Sequence, residues 1–205
     1  CIAYSGVFQG NGHTIKGLRM NNTNKSGYKD AGLFCMLENA TVENIVIDSS
    51  CSFSGGYVGP LSVSYAGSLI VKNATNKAAV NGENAGAGGF VGRMDTWKTA
   101  SVITFEGCVN EGNITGNSRV GGLVGCISSS TTITLSNCIN NGTVNSNRDG
   151  AGGLIGVIGW NGGAVMAISN CTNSGTITGN DSRTGGIVGS IYSNSNGNMT
   201  ISNCT

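Results

Sequence analysis

The sequence predicts an all-β fold: a parallel β-helix, or β-solenoid, winding through about three short strands per coil. Three observations lead there. The first is a repeat. The second Gly of successive Gly-Gly pairs falls at Gly56, Gly89, Gly122, Gly153 and Gly186, in steps of 33, 33, 31 and 33. Each pair runs into two apolar residues and another Gly. A fixed period of this length marks a stacked architecture. The second is alternation. In "TTITLS" (131–136), Ile133 and Leu135 share one face, and Thr132, Thr134 and Ser136 share the other, as in a half-buried strand. The third is composition. There are 35 Gly residues, with β-branched residues and Asn throughout, and these disfavour helix.

The elements follow in order. A strand-like piece closed by a small or apolar residue recurs as "TIKGL", "TVENI", "LIVKNA", "ITFEGC", "ITLSNC", "MAISNC" and "MTISNC". Its last residues are Leu18, Ile45, Ala74, Cys108, Cys138, Cys171 and Cys204, in steps of 27, 29, 34, 30, 33 and 33. A short Thr/Ile/Val piece then ends at Val80, Thr115, Val144 and Ile177, and the Gly-Gly piece completes the coil. Coils therefore hold roughly 27–34 residues, a length typical of one repeat in a stacked array. Residues 1–55 read as divergent N-terminal coils and 56–205 as regular repeats, all within a single domain. One such unit cannot bury its apolar face alone, but stacked copies can. Propeller blades use four strands and about 40 residues, and fit less well. The crossover rule makes the coiling right-handed. Seven rungs about 4.8 Å apart make a rod of roughly 30–35 Å.

Composition narrows the function classes. Apolar residues make up 39%, charged residues only 10%, and the formal net charge is +1. That balance is neither a disordered chain nor an electrostatic invitation to nucleic acid or anionic membranes. No run of 18 apolar residues suggests a transmembrane segment.

Cys and Asn recur in register. Cys108, Cys138, Cys171 and Cys204 take the place held elsewhere by Leu18, Ile45 and Ala74, which points to a small buried apolar site. Side chains on adjacent rungs would run parallel, a geometry that favours free thiols over disulfides. Cys35, Cys51 and Cys126 fall off this column and are candidates for pairing elsewhere; Cys1 is a candidate lipidated mature N-terminus or, equally, the boundary of a fragment. Asn73, Asn137, Asn170 and Asn203 precede the column residue, and Asn76, Asn110, Asn140 and Asn173 follow it two places on. Stacked amides can hydrogen-bond along such columns and satisfy turn backbone. That structural reading is favoured over sugar contact by exposed amides. Ten Asn-x-Ser/Thr sequons occur, for example at Asn39, Asn113 and Asn198. Those at Asn73, Asn170 and Asn203 coincide with the column, where a buried amide would carry no glycan.

No catalytic or cofactor set emerges. Glycosidase-type chemistry needs paired carboxylates, yet no repeat position collects them; Asp95 and Glu106 come nearest, and solvated surface charge explains them better. His13 is the only His, and no C-x-x-C spacing offers a metal site. Rows of Thr (Thr104, Thr134, Thr200) could order water on a flat face, but ordinary solvent-facing strand residues account for them. Trp97, Trp160 and Tyr192 sit in the most variable segments, where partner contact would reside, but partly buried loop anchors account for them better than a sugar or protein patch.

"FQGNGHTIKGL" (8–18), "AGLFCMLENATVENIVI" (31–47) and the repeated "GGLVG" units resemble the GLUG-motif proteins, repetitive surface and secreted proteins. The resemblance spans nearly the whole chain and implies a surface-displayed, adhesin-like scaffold. Some large IgA-cleaving metalloproteases resemble this family in carrying such repeats beside a catalytic domain. This chain lacks His-Glu-x-x-His, so that activity does not follow. The expectation is a non-enzymatic, extracellular or cell-surface structural or adhesive solenoid without cofactor or metal, serving as a head-to-tail filament subunit or as a segment of a larger surface protein. Its partners would be copies of itself stacked end to end, further repeats of the same polypeptide, or a carbohydrate or host cell-surface ligand. The alternatives are a carbohydrate-binding adhesin module and a carbohydrate-active β-helix enzyme.

Overall fold

The computed structural model describes residues 2–22, 30–83, 86–95, 101–128, 131–159, 165–180, 183–192 and 198–205, and of residues 63–66, 95 and 131 the backbone alone. All regular structure in it is β, and every strand pairing is parallel. Four sheets of 11, 6, 6 and 4 strands run the length of a β-solenoid. No helix among the described residues is long and apolar enough to cross a membrane.

One coil shows the plan. The chain runs Ser101–Glu106, Val109–Asn110, Ile114–Gly116, Val120–Gly121 and Val124–Ser128, and the next coil begins at Thr131–Ser136. The coil thus divides into five segments, where the sequence suggested three. One break lies at the residue before the Cys column. Asn44, Asn73, Gly107, Asn137, Asn170 and Asn203 all have φ between 48° and 62°. Asn and Gly tolerate this left-handed conformation best, and it ends a strand at the same place on each of these six rungs. The eleven-stranded sheet arises because Ser62–Lys72 is one long strand. Its first part pairs with Val91–Asp95 and its last with Ser101–Glu106.

The register places two landmarks differently from the sequence pattern. Thr14 pairs with Val46, and the Val46 amide donates to the His13 carbonyl, so His13 heads the Cys column. Arg19 pairs with Ser52, which stacks Leu18 on Cys51 one corner further on. Likewise Val58 pairs with Ala87, and Ser62 with Val91. Gly59-Pro60 therefore corresponds to Gly88-Gly89, and the "GG" of "GGYVG" at 55–56 is out of register. Gly55 instead pairs with Gly82.

The core is a set of columns. Val42, Val71, Phe105, Leu135 and Ile168 stack through successive pairings with no exposed surface. Each such side chain contributes about 1.5–3 kcal/mol of burial, and most of its cover comes from the rungs on either side. The column's last member, Ile201, is 46% exposed.

Candidate functional site

The polar side chains are organised along the axis, in columns. The most buried column contains Asn76, Asn110, Asn140 and Asn173. The first three are completely inaccessible. Short strands bring them into register: Asn76 pairs with Asn110, Asn110 with Asn140, and Asn140 with Asn173. Each amide nitrogen donates to a carbonyl two places on in its own coil: Ala78 at 3.2 Å, Gly112 at 2.9 Å, Gly142 at 3.0 Å and Gly175 at 3.3 Å. The first three also donate to Oδ1 of the next Asn, at 2.9 Å from Asn76, 2.8 Å from Asn110 and 2.8 Å from Asn140. These inter-rung donors all point towards the C-terminal rung. An unpaired buried amide would cost about 1–3 kcal/mol, and the column satisfies its members by repetition.

The Gly-Gly landmark serves this column. A Cβ on Gly89 would lie 2.8 Å from Asn110 Oδ1; on Gly122, 2.5 Å from Asn140 Cγ; and on Gly153, 2.6 Å from Asn173 Cγ. The second Gly of each pair is the space into which the next rung's amide fits. Two signals well separated in the sequence thus report one packing event.

The Cys column stacks beside it. Ile45, Ala74, Cys108, Cys138 and Cys171 are buried, with Cys204 half-buried at the end. Cys108, Cys138, Cys171 and Cys204 are free thiols. Cys138 Sγ lies 3.5 Å from the Phe105 carbonyl and 3.3 Å from that of Ser136. The hydrogen bond from the Cys138 thiol to Cys108 pushes the Cys138 pKa up to about 12 and holds Cys108 below its ordinary value. Cys171, hydrogen-bonded to Cys138 and desolvated by burial, is pushed up as well. Protonated, inaccessible thiols are poor nucleophiles. Cys51 and Cys126 are buried thiols outside any disulfide, whereas Cys35 is held in one. Cys1 lies outside the described residues.

Asn73, Asn137, Asn170 and Asn203 occupy the outer side of the same turn and are exposed. Their left-handed backbone carries the side chain outward, so the sequons at Asn73, Asn170 and Asn203 are accessible, contrary to the sequence expectation. Two neighbouring pairs join: Asn73 Nδ2 to Asn44 Oδ1 at 3.3 Å, and Asn203 Nδ2 to Asn170 Oδ1 at 3.2 Å. Gly107 interrupts this outer row. Of the sequon examples, Asn39 and Asn113 are exposed, and so is Asn198.

A lateral strip is the richest in charge. Tyr57, Gly86, Arg119, Gly150 and Arg183 follow one another up one corner, large residues alternating with Gly. Arg119 reaches the Tyr57 hydroxyl at 2.9 Å. Arg183 donates to Asp149 at 2.8 Å and lies 4.6 Å from the Tyr192 ring, whose hydroxyl also donates to Asp149 at 2.8 Å. A Cβ on Gly86 would lie 3.0 Å from the Tyr57 ring, and one on Gly150 would lie 2.2 Å from the Val157 side chain. Burial raises the pKa of Asp30 at the same corner, against the lowering by its Tyr57 backbone hydrogen bond and the Arg93 charge.

Among the described residues the carboxylates do not gather. Glu106 is ion-paired with Lys72 at 3.1 Å, and Glu111 with Lys77 at 3.1 Å. Both pairs join adjacent rungs at the surface. The side chain of Asp95 lies outside the described residues, as do Trp97 and Trp160. Among the described residues, no group of three or more His, Cys, Asp or Glu could hold a metal ion. Thr104 and Thr134 stack, but Ala167 separates them from Thr200. No family model, curated protein or solved structure matches the chain.

Proposed function

We propose that this chain is a non-enzymatic structural or adhesive module: a stiff β-solenoid rod of an extracellular or cell-surface protein, lengthened by coils stacked on its end faces. The observation that carries this reading is the direction of the polar contacts. The Asn amides, the Lys72–Glu106 and Lys77–Glu111 pairs and the Arg183–Asp149 pair all join one rung to the next. This is chemistry spent on holding a stack together. The Cys35 disulfide supports an oxidising compartment, and the GLUG-like motifs agree with surface display. The adhesive variant draws on the outer Asn row, whose exposed amides lie in line along the rod.

Scattering in solution tests the reading. A rod a few nanometres long, with no turnover of a polysaccharide panel by wild type, is the expected result. Turnover that is lost in Asp95→Asn/Glu106→Gln would replace this reading with the carbohydrate-active one.

A further inference from the structure

The C-terminal face carries three features that together specify what can stack on it. The first is a donor. Asn173 bonds to Gly175 within its own coil, but among the described residues it donates to no further rung, whereas Asn76, Asn110 and Asn140 each do. The second is a notch. A Cβ on Gly186 meets nothing within 4 Å, although its counterparts Gly89, Gly122 and Gly153 each back onto an Asn amide of the next rung. The third is a tight floor. Along the corner column, a Cβ on Gly142 would lie 2.0 Å from the Gly112 carbonyl, and one on Gly175 would lie 2.0 Å from the Gly142 carbonyl. The Gly175 carbonyl imposes the same limit on whatever stacks above it.

Taken together, these point to one occupant. We infer that the C-terminal face is a docking surface for a β-coil bearing Asn-x-Gly at this corner: Asn to accept from Asn173 and fill the Gly186 notch, Gly to clear the Gly175 carbonyl. Edge strands Ile177–Gly179, Val188–Ile191 and Met199–Ser202 supply parallel backbone pairing for it. Ile201 at 46% and Met199 at 39% exposure supply the apolar contact.

The same features reject the N-terminal face of a second copy in continuous register. That face presents Ile15 where the Asn is needed and Leu18 where Gly is needed. Ile15 has no acceptor for the Asn173 amide, and the Leu18 Cβ would meet the Gly175 carbonyl. Growth at this end therefore takes coils of the chain's own repeat type. Simple head-to-tail stacking of identical copies does not fit.

The inference rests on the stacking role proposed above, and one experiment separates the two. Residues 140–172 are duplicated after Thr205, so that the copied Asn140 and Gly142 stand over Asn173 and Gly175. Hydrogen exchange is then read on the amides of 177–179, 188–191 and 199–202. The expected result is protection rising at least tenfold over the unextended chain. The same extension with Asn140→Ile and Gly142→Leu in the appended copy only should give no such rise. Gly186→Ala should leave the unextended chain's melting unchanged yet remove the protection in the extended one. Equal protection by the two extensions would overturn the inference and leave the stacking role standing. No protection by either would overturn both. Regular end-to-end fibres of the unextended chain would also overturn the inference, because they need the mismatched face to dock.

Discussion

Replacing Asn140 by Ala removes an amide that touches three other polar groups. Its nitrogen donates to the Gly142 carbonyl at 3.0 Å and to Asn173 Oδ1 at 2.8 Å, and its Oδ1 accepts from Asn110 Nδ2 at 2.8 Å. Asn140 is completely buried, as is Asn110. The variant therefore leaves an N–H and two carbonyl oxygens short of a partner. At about 1–3 kcal/mol for each stranded group, with Asn173 partly wet, the loss should be about 3–6 kcal/mol, the lower end applying if a water enters the vacated space. That is a large share of a total stability of roughly 10–30 kcal/mol for a chain this long. The comparison is Asn137→Gly on the outer row, where φ is 54°. There Gly keeps the left-handed turn without strain, and the change should stay within about 1 kcal/mol. Urea unfolding followed by circular dichroism measures both, and hydrogen exchange localises any loss, since stacked coils need not unfold as one unit. If Asn140→Ala costs no more than Asn137→Gly, the inner column is not holding the rungs together.

Other outcomes follow from the same contacts. Gly122→Ala should prevent folding or cost more than about 4 kcal/mol, because its Cβ would lie 2.1 Å from the Gly153 carbonyl and 2.5 Å from Asn140 Cγ; expression with a cooperative melt near wild type would refute this. Among the described cysteines, a thiol reagent should reach Cys204 at most under native conditions, and after denaturation without reductant all six that lie outside a disulfide should react; four or fewer would mean that the column is oxidised. The raised Cys138 pKa favours the protonated folded state. Its contribution is complete below the ordinary thiol value of about 8.5 and is lost as pH rises towards about 12; alkaline unfolding midpoints should therefore shift less in Cys138→Ala than in wild type, and an identical pH dependence would contradict the assignment. Cys138→Ser should be less stable than Cys138→Ala because a hydroxyl enters an apolar column, although the Ser136 carbonyl 3.3 Å from Sγ offers it an acceptor and narrows the gap.

The architecture was legible because solenoid packing repeats its demands. The alternation of Ile133 and Leu135 with Thr and Ser, and the near-constant step between Gly-Gly pairs, both report the stack directly. Register at the divergent end was not legible. "GGYVG" copies the spelling of the repeat, yet pairing continues through Gly59 and Pro60, because strand pairing answers to the whole coil and not to one pentapeptide. Leu18 was misplaced for a similar reason. "TIKGL" looks like "TVENI", but the first coil turns its corner with a longer piece, and His13 takes the column position. Both Asn rows were visible, but their difference was not. One lies outside a left-handed turn and the other fills the interior. The sequence does carry the distinguishing signal: the buried Asn is followed two places on by Gly or Ala, as in Asn110-Glu-Gly112 and Asn140-Asn-Gly142. The arginine strip left no local pattern, since Arg119 and Arg183 share a corner only through the stacking of coils.

Side-chain amide exchange, resolved by NMR, tests the central claim most directly. The Nδ2 protons of Asn76, Asn110 and Asn140 should be strongly protected, and those of Asn137 and Asn170 should exchange at nearly free rates. Protection that is uniform across all five, or absent from the inner three, would contradict a rod held together by a buried amide column.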